Sequence, residues 1–103
     1  PVDAVDHPRL RVDKSRYSVL ACGKEIEMPP KELELLFFLA THPNRVFTRE
    51  QLLENVWGYD FFGESRTVDV HIKRIREKLD DAGEHPDWQI KTVWGVGYKF
   101  ETR

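Results

Sequence analysis

Residues 65–79 read SRTVDVHIKRIREKL. Within them Val68, Ile72, Ile75 and Leu79 fall on one stripe of a 3.6-residue helix. The opposite face carries Arg66, Thr67, Val70, Lys73, Arg74 and Glu77, with Asp69, His71 and Arg76 on the borders. Ser65 precedes the pattern and is the expected N-cap, because a serine hydroxyl can accept a free first-turn N–H. From Arg66 to Lys78 five basic residues stand against two acidic ones, a net +3, whereas the whole chain is −2. A basic helix on an acidic body is a directed charge suited to an anionic surface. A merely solvated amphipathic face is the bland alternative. Val70, apolar in the middle of the polar face, argues against it, as do Thr67, Asp69 and His71, side-chain types that hydrogen-bond phosphates and base edges.

Upstream, Thr48 opens another helix, with Gln51 placed for a capping box and Phe47 and Leu52 for a hydrophobic staple. Leu52, Leu53 and Val56 point it at a core, and Trp57-Gly58 ends it. The seven residues 57–63 (WGYDFFG) are then a short aromatic loop before the basic helix. Further back, residues 31–42 (KELELLFFLATH) are apolar on nearly every side, the mark of a central helix. Pro29-Pro30 suits its first turn, where a missing N–H costs nothing, and Pro43 ends it. Arg45-Val46-Phe47 is a short extended link. Before that, Leu10–Val12, Tyr17–Ala21 and Lys24–Met28 alternate as short strands of an antiparallel meander, joined by turn residues. Residues 1–8 (PVDAVDHP) read as the tail of a linker and residues 9–103 as one domain.

Downstream, residues 80–86 (DDAGEHP) are a polar loop. Trp88, Ile90, Thr92 and Trp94 alternate, as do Tyr98 and Phe100. Gly95-Val96-Gly97 between the runs supplies the φ > 0 positions of a tight reversal, giving a C-terminal hairpin. Strands, three helices with the third one basic, then a hairpin is the layout of a winged helix-turn-helix, an α+β fold.

A chain of 103 residues, 40% hydrophobic and 33% charged, is expected to fold around one core. No apolar run approaches the roughly 20 residues of a membrane span, and no signal-peptide pattern opens the chain. Starting at Pro1 without a methionine, it is expected to be a segment of a longer protein. The single cysteine, Cys22, excludes an internal disulfide and fits a reducing, cytoplasmic compartment. The pI near 6.1 argues against non-specific polyanion binding. His42, His71, His85 and Cys22 share no ligand spacing, so no metal site is expected. Gly95-x-Gly97 lacks the rest of a dinucleotide fingerprint. No nucleophile signature or phosphate loop supports an enzyme, and no cofactor is implied.

Five motifs in order, KELELL (31–36), TREQL (48–52), VWG (56–58), RTVDVHI (66–72) and TVWGVGY (92–98), resemble the DNA-binding effector domain of OmpR/PhoB-type bacterial response regulators. The similarity runs from about Leu10 to Phe100, and the WGYDFFG loop and TVWGVGYKF hairpin are most similar to ResD-type members. The resemblance implies a four-stranded antiparallel N-terminal sheet, a three-helix core and a C-terminal β-hairpin wing. It implies sequence-specific binding of double-stranded DNA, with the third helix in the major groove and the wing at the minor groove. Arg49 and Trp57 match phosphate-contacting positions, and Val70, His71, Lys73, Arg74 and Arg76 match recognition-helix positions. With Arg66, Thr67, Asp69, Thr92 and Trp94 they make up the expected DNA-binding set. Gly58, Tyr59, Asp60, Phe61, Phe62 and Gly63 match a loop that contacts RNA polymerase. The family also implies an N-terminal receiver domain phosphorylated by a sensor histidine kinase, and tandem homodimers on promoter direct repeats. Two departures stand out. Trp94 occupies a wing position where many members carry a minor-groove arginine, and Pro29 replaces the Ser or Thr that caps the first helix. On the residues alone, Trp94 either packs at a groove edge or folds back as core. His71 is either half-buried packing or a phosphate contact, and the aromatic loop either packs on the third helix or faces a partner.

Overall fold

A computed structural model describes residues 3–61 and 63–103 of the chain. Four strands open it, β1 (Ala4–His7), β2 (Leu10–Asp13), β3 (Ser18–Ala21) and β4 (Lys24–Ile26), in the antiparallel order β1-β2-β3-β4. Cross-strand neighbours Val5, Val12, Val19 and Ile26 line one row of this sheet, and Asp6, Arg11, Leu20 and Glu25 line another. The first row packs on the core, while Leu20 on the second is exposed. The linker reading of residues 1–8 therefore fails for Ala4–His7. One apolar side chain, Val5, is enough for an edge strand that also has a full ladder with β2. His7 adds a bond from its Nε2 to the Ala40 carbonyl at 2.8 Å and packs its ring 4.6 Å from Phe100.

The sheet is covered by α1 (Pro30–Thr41), whose residues Leu33, Leu35, Leu36, Phe37, Leu39 and Ala40 are buried. As the two prolines require, no side chain caps its start. Glu32, in its first turn, is also buried, and its Oε1 accepts from Lys78 Nζ at 2.5 Å. Next come β5 (Phe47–Thr48) and α2 (Arg49–Leu52), which widens into a π-helical turn over Leu53–Trp57. The capping box is formed on both sides: Gln51 N donates to Thr48 Oγ1 at 3.1 Å, and Thr48 N donates to Gln51 Oε1 at 2.8 Å.

The basic segment forms α3 (Arg66–Ala82), with Val68, Ile72, Ile75, Leu79 and Ala82 buried. It runs three residues past the expected end at Leu79, because Ala82 continues the buried stripe and Gly83 at φ 150 closes it. Ser65 does not cap it. Its backbone is already helical, at φ −61 and ψ −22, so its hydroxyl is not poised over the first turn. Backbone bonds from Thr67 N to Glu64 O and Val68 N to Ser65 O, both 3.0 Å, close that turn instead.

Strands β6 (Trp88–Val93) and β7 (Gly97–Thr102) form the wing, and β5 pairs with β7 to make a second sheet in the order β5-β7-β6. The hairpin turns at Val93–Val96, closed by Val96 N to Val93 O at 2.9 Å. Gly95 sits at φ 80, the left-handed third position that such a turn requires. Gly97 has a different task from the one its sequence context suggests. A Cβ there would lie 1.9 Å from the Phe47 carbonyl oxygen, so glycine is needed for β5 and β7 to approach. Among the described residues no helix is long and apolar enough to cross a membrane.

Candidate nucleic-acid interface

Burial of the Val68–Leu79 stripe fixes the rotation of α3 and turns Lys73 and Arg74 outward, with Val70 one turn before them at 43% exposure. Among the described residues neither Lys73 nor Arg74 has an ion-pair partner in the chain. Arg66 is also outward and only grazes Glu64 at 4.0 Å. A row of unneutralised cations around one exposed methyl-bearing side chain can attract a polyanion and read a methyl group.

Beside α3 the wing and the start of α2 enclose a cleft of about 680 Å3, with Arg49, Asp69, Arg76, Thr92, Trp94 and Tyr98 on its walls. Asp69 is its organising group. Its Oδ1 accepts from Arg49 Nε at 3.0 Å and from the Tyr98 hydroxyl. One carboxylate thus joins α3, α2 and the wing. Burial, and then the Asp69 carboxylate, pushes the Tyr98 phenol above its ordinary value of 10.0. Arg76 makes a second tie: Nε and Nη2 donate to the Ile90 carbonyl at 3.0 and 2.8 Å, and Nη2 donates to Thr92 Oγ1 at 2.8 Å. Its guanidinium also lies 5.6 Å from the Tyr98 ring centroid. At the hairpin tip Trp94 is 89% exposed, which removes the core alternative for this residue.

The sequence profile described as "Transcriptional regulatory protein, C terminal" matches residues 23–100. The structure superposes on Thermotoga maritima DrrB, a response regulator described as an OmpR/PhoB homologue, with a TM-score of 0.80 and 42% identity over 96% of this chain and 44% of that one. The chain belongs to the OmpR/PhoB family. Transcriptional regulatory protein SrrA of Staphylococcus aureus is 50% identical over 101 residues, 98% of this chain and 42% of that protein, so the chain spans less than half the length of this curated relative. The Klebsiella pneumoniae RstA DNA-binding domain, determined in complex with the RstA box, matches with a TM-score of 0.79 and 30% identity over 97% of this chain and 98% of that one.

In this OmpR/PhoB domain the residues singled out from sequence divide into two groups. Arg49, Arg66, Val70, Lys73, Arg74 and Trp94 are exposed. Trp57, Thr67, Asp69, His71, Arg76 and Thr92 are half-buried and bonded or packed within the fold. His71 Nδ1 donates to the Thr67 carbonyl at 2.8 Å, and the ring meets Trp57 edge-on at 4.9 Å. Arg76 and Asp69, expected in the DNA-binding set from the family resemblance, are turned to the wing and to Arg49. The helical wheel locates them on its borders but not the β-strand that occupies that border. In the loop after α2, Tyr59 is 81% exposed, and Phe61 sits 6.1 Å from Trp57. Gly58 takes φ 101, Asp60 and Gly63 are at or near the surface, and Phe62 lies outside the described residues. Tyr98 is the member of the site that sequence reading missed. Its alternation with Phe100 fits the burial observed, and a buried tyrosine hydroxyl that must find a partner was the available signal.

Proposed function

We propose that this domain binds double-stranded DNA in a sequence-specific manner as the effector half of a two-component response regulator. The observation that carries the reading is the outer face of α3, where Lys73 and Arg74 are exposed one turn beyond Val70 and, among the described residues, have no ion-pair partner, while the rest of the chain is net acidic. Such a helix fits a major groove, its cations neutralising phosphates and its tip residues meeting base edges. The wing, anchored to the same helix through Arg76 and Tyr98, lies where a second groove would pass. Binding is equilibrium recognition without chemistry. The Klebsiella pneumoniae relative described with its DNA box supports this reading.

The size of the curated relatives supports a preceding receiver domain and a partner sensor kinase in a cytoplasmic phosphorelay, with tandem homodimers on promoter direct repeats offsetting the small interface of one domain. The exposed Tyr59 and half-exposed Phe61 favour a protein partner at the loop after α2, and RNA polymerase is the proposed one.

Selection of bound sites from a random duplex pool tests the reading. A single enriched motif is expected. Arg74→Ala then loses roughly 1–3 kcal/mol on that motif and relaxes base preference, and Arg49→Ala weakens all duplexes alike. Absence of any enrichment refutes the proposal.

A further inference from the structure

Asp69 is a carboxylate on a surface meant for a polyanion, as are its exposed neighbours Glu50 and Glu77. It is only half-buried, its side chain being 32% exposed, and a carboxylate beside a phosphate backbone is repelled. What it holds explains its presence. Its Oδ1 takes the Nε of Arg49, leaving the terminal Nη1 and Nη2 of that guanidinium without a protein partner among the described residues. The Arg49 side chain remains 50% exposed, at the mouth of the cleft between wing and helices. The same Oδ1 is fixed from the other side by the hydroxyl of Tyr98, a residue 7% exposed in β7. Tyr98 in turn pairs with Phe47, two residues before Arg49 in the chain. Arg49 thus directly follows the strand that pairs with β7, and its Nε is held by a carboxylate that the wing itself orients.

We propose that Tyr98 and Asp69 are positioning residues that aim the free edge of the Arg49 guanidinium at one DNA backbone phosphate, so that seating of the wing and the phosphate clamp of α2 form a single unit. The inference rests on the DNA-binding reading above. A long arginine side chain has many rotamers, and one held at Nε presents its two-pronged edge without the ordering cost a free one bears on binding. Tyr98 needs no contact with DNA for this role.

The two roles open to Asp69 predict opposite signs. If the carboxylate is merely a surface charge near DNA, Asp69→Asn removes repulsion, tightens binding and steepens the log–log salt slope by about 0.9. If it positions Arg49, Asp69→Asn weakens binding in spite of the favourable charge change. Tyr98→Phe keeps the ring in the core and removes only the hydroxyl, so it isolates the link.

The test uses the enriched duplex and its analogues with one phosphate at a time replaced by a neutral methylphosphonate. Thermal melts establish that Tyr98→Phe and Asp69→Asn remain folded. One phosphate is expected whose neutralisation weakens the wild type and leaves Arg49→Ala unaffected. Tyr98→Phe is expected to weaken binding roughly threefold to tenfold and to lose most of its sensitivity to that same phosphate. The double variant Arg49→Ala/Tyr98→Phe should bind no worse than Arg49→Ala alone. Tighter binding by Asp69→Asn, additive effects in the double variant, or undiminished phosphate sensitivity in Tyr98→Phe overturns the proposal while leaving DNA binding intact. Failure of the wild type to bind any duplex overturns both.

Discussion

Trp94 offers the sharpest separation between a residue that holds the fold and one that meets the ligand. At 89% exposure it contributes almost nothing to the folded state, so Trp94→Ala should change stability by no more than about 0.5 kcal/mol, a shift of roughly 2–4 °C for a domain this size. Its worth at a groove edge is different. An aromatic side chain of this size presents roughly 150–250 Å2. Covering half of it along sugar edges removes ~100 Å2 from water, about 2.5 kcal/mol. Ordering the side chain takes back about 0.5–1.5 kcal/mol. The net is about 1–2 kcal/mol, a five- to thirtyfold rise in Kd. Because packing on sugars carries no base code, the loss should be the same on cognate and scrambled duplexes. Trp94→Arg replaces packing with charge; it should steepen the salt slope by about 0.9 and favour sites flanked by A·T tracts with their narrow minor groove. Anisotropy titrations with both duplexes at several salt concentrations, beside thermal melts, read all of this. An unchanged Kd for Trp94→Ala on both duplexes, or a loss confined to the cognate one, refutes the reasoning.

Other substitutions probe the scaffold of the site. Arg76→Lys should not replace arginine, because one ammonium cannot reproduce the paired donation to the Ile90 carbonyl and Thr92; hydrogen exchange in β6 should accelerate as it does in Arg76→Ala, and wild-type protection in the lysine variant would count against the tie. Gly97→Ala places a methyl group against the Phe47 carbonyl and should destabilise by about 2–3 kcal/mol, lowering the melting temperature by at least ~8 °C; a melt within experimental error of wild type would show that β5 can move aside. Asp13 is held below its ordinary 3.8 chiefly by the Ser15 hydroxyl, so its contribution is complete above that value and lost as pH falls through the lower folded one. Asp13→Asn should therefore lower the urea midpoint at neutral pH, with the gap to wild type closing in acid; a gap independent of pH would discount the carboxylate.

Most of the local structure was legible in the sequence, the N-cap expected at Ser65 being an exception. The α3 stripe follows from spacing within one segment, and the Thr48–Gln51 capping box needs only residues three apart. The exposure of Lys73 and Arg74 follows from the same wheel. What was hidden depends on pairing across the chain. Residues 4–7 look polar because the edge strand turns only Val5 and His7 inward, and β5 is two residues long, too short to carry any alternation. Arg76 and Asp69 have the composition of a groove-facing set. Only the wing, 14 to 29 residues further along, supplies the partners they bond within the chain. The burial of Glu32 likewise depends on Lys78, 46 residues away, which supplies its partner.

The pairing of β5 with β7 has a consequence for portability. Phe47 and Thr48 are hydrogen-bonded to Tyr98 and Gly97, almost half the chain away, and the loop they close contains both helices of the recognition unit. The cost of closing that loop is met only by the whole core. A fragment carrying α2 and α3 alone would keep the basic face but lose the strand that seats the wing, the Thr48 cap that strand carries, and the tyrosine that fixes Asp69. The unit of transfer for grafting or domain exchange is therefore everything from β5 through β7 together with the hydrophobic bed beneath it, and chimaeras cut between α3 and β6 should inherit charge without geometry.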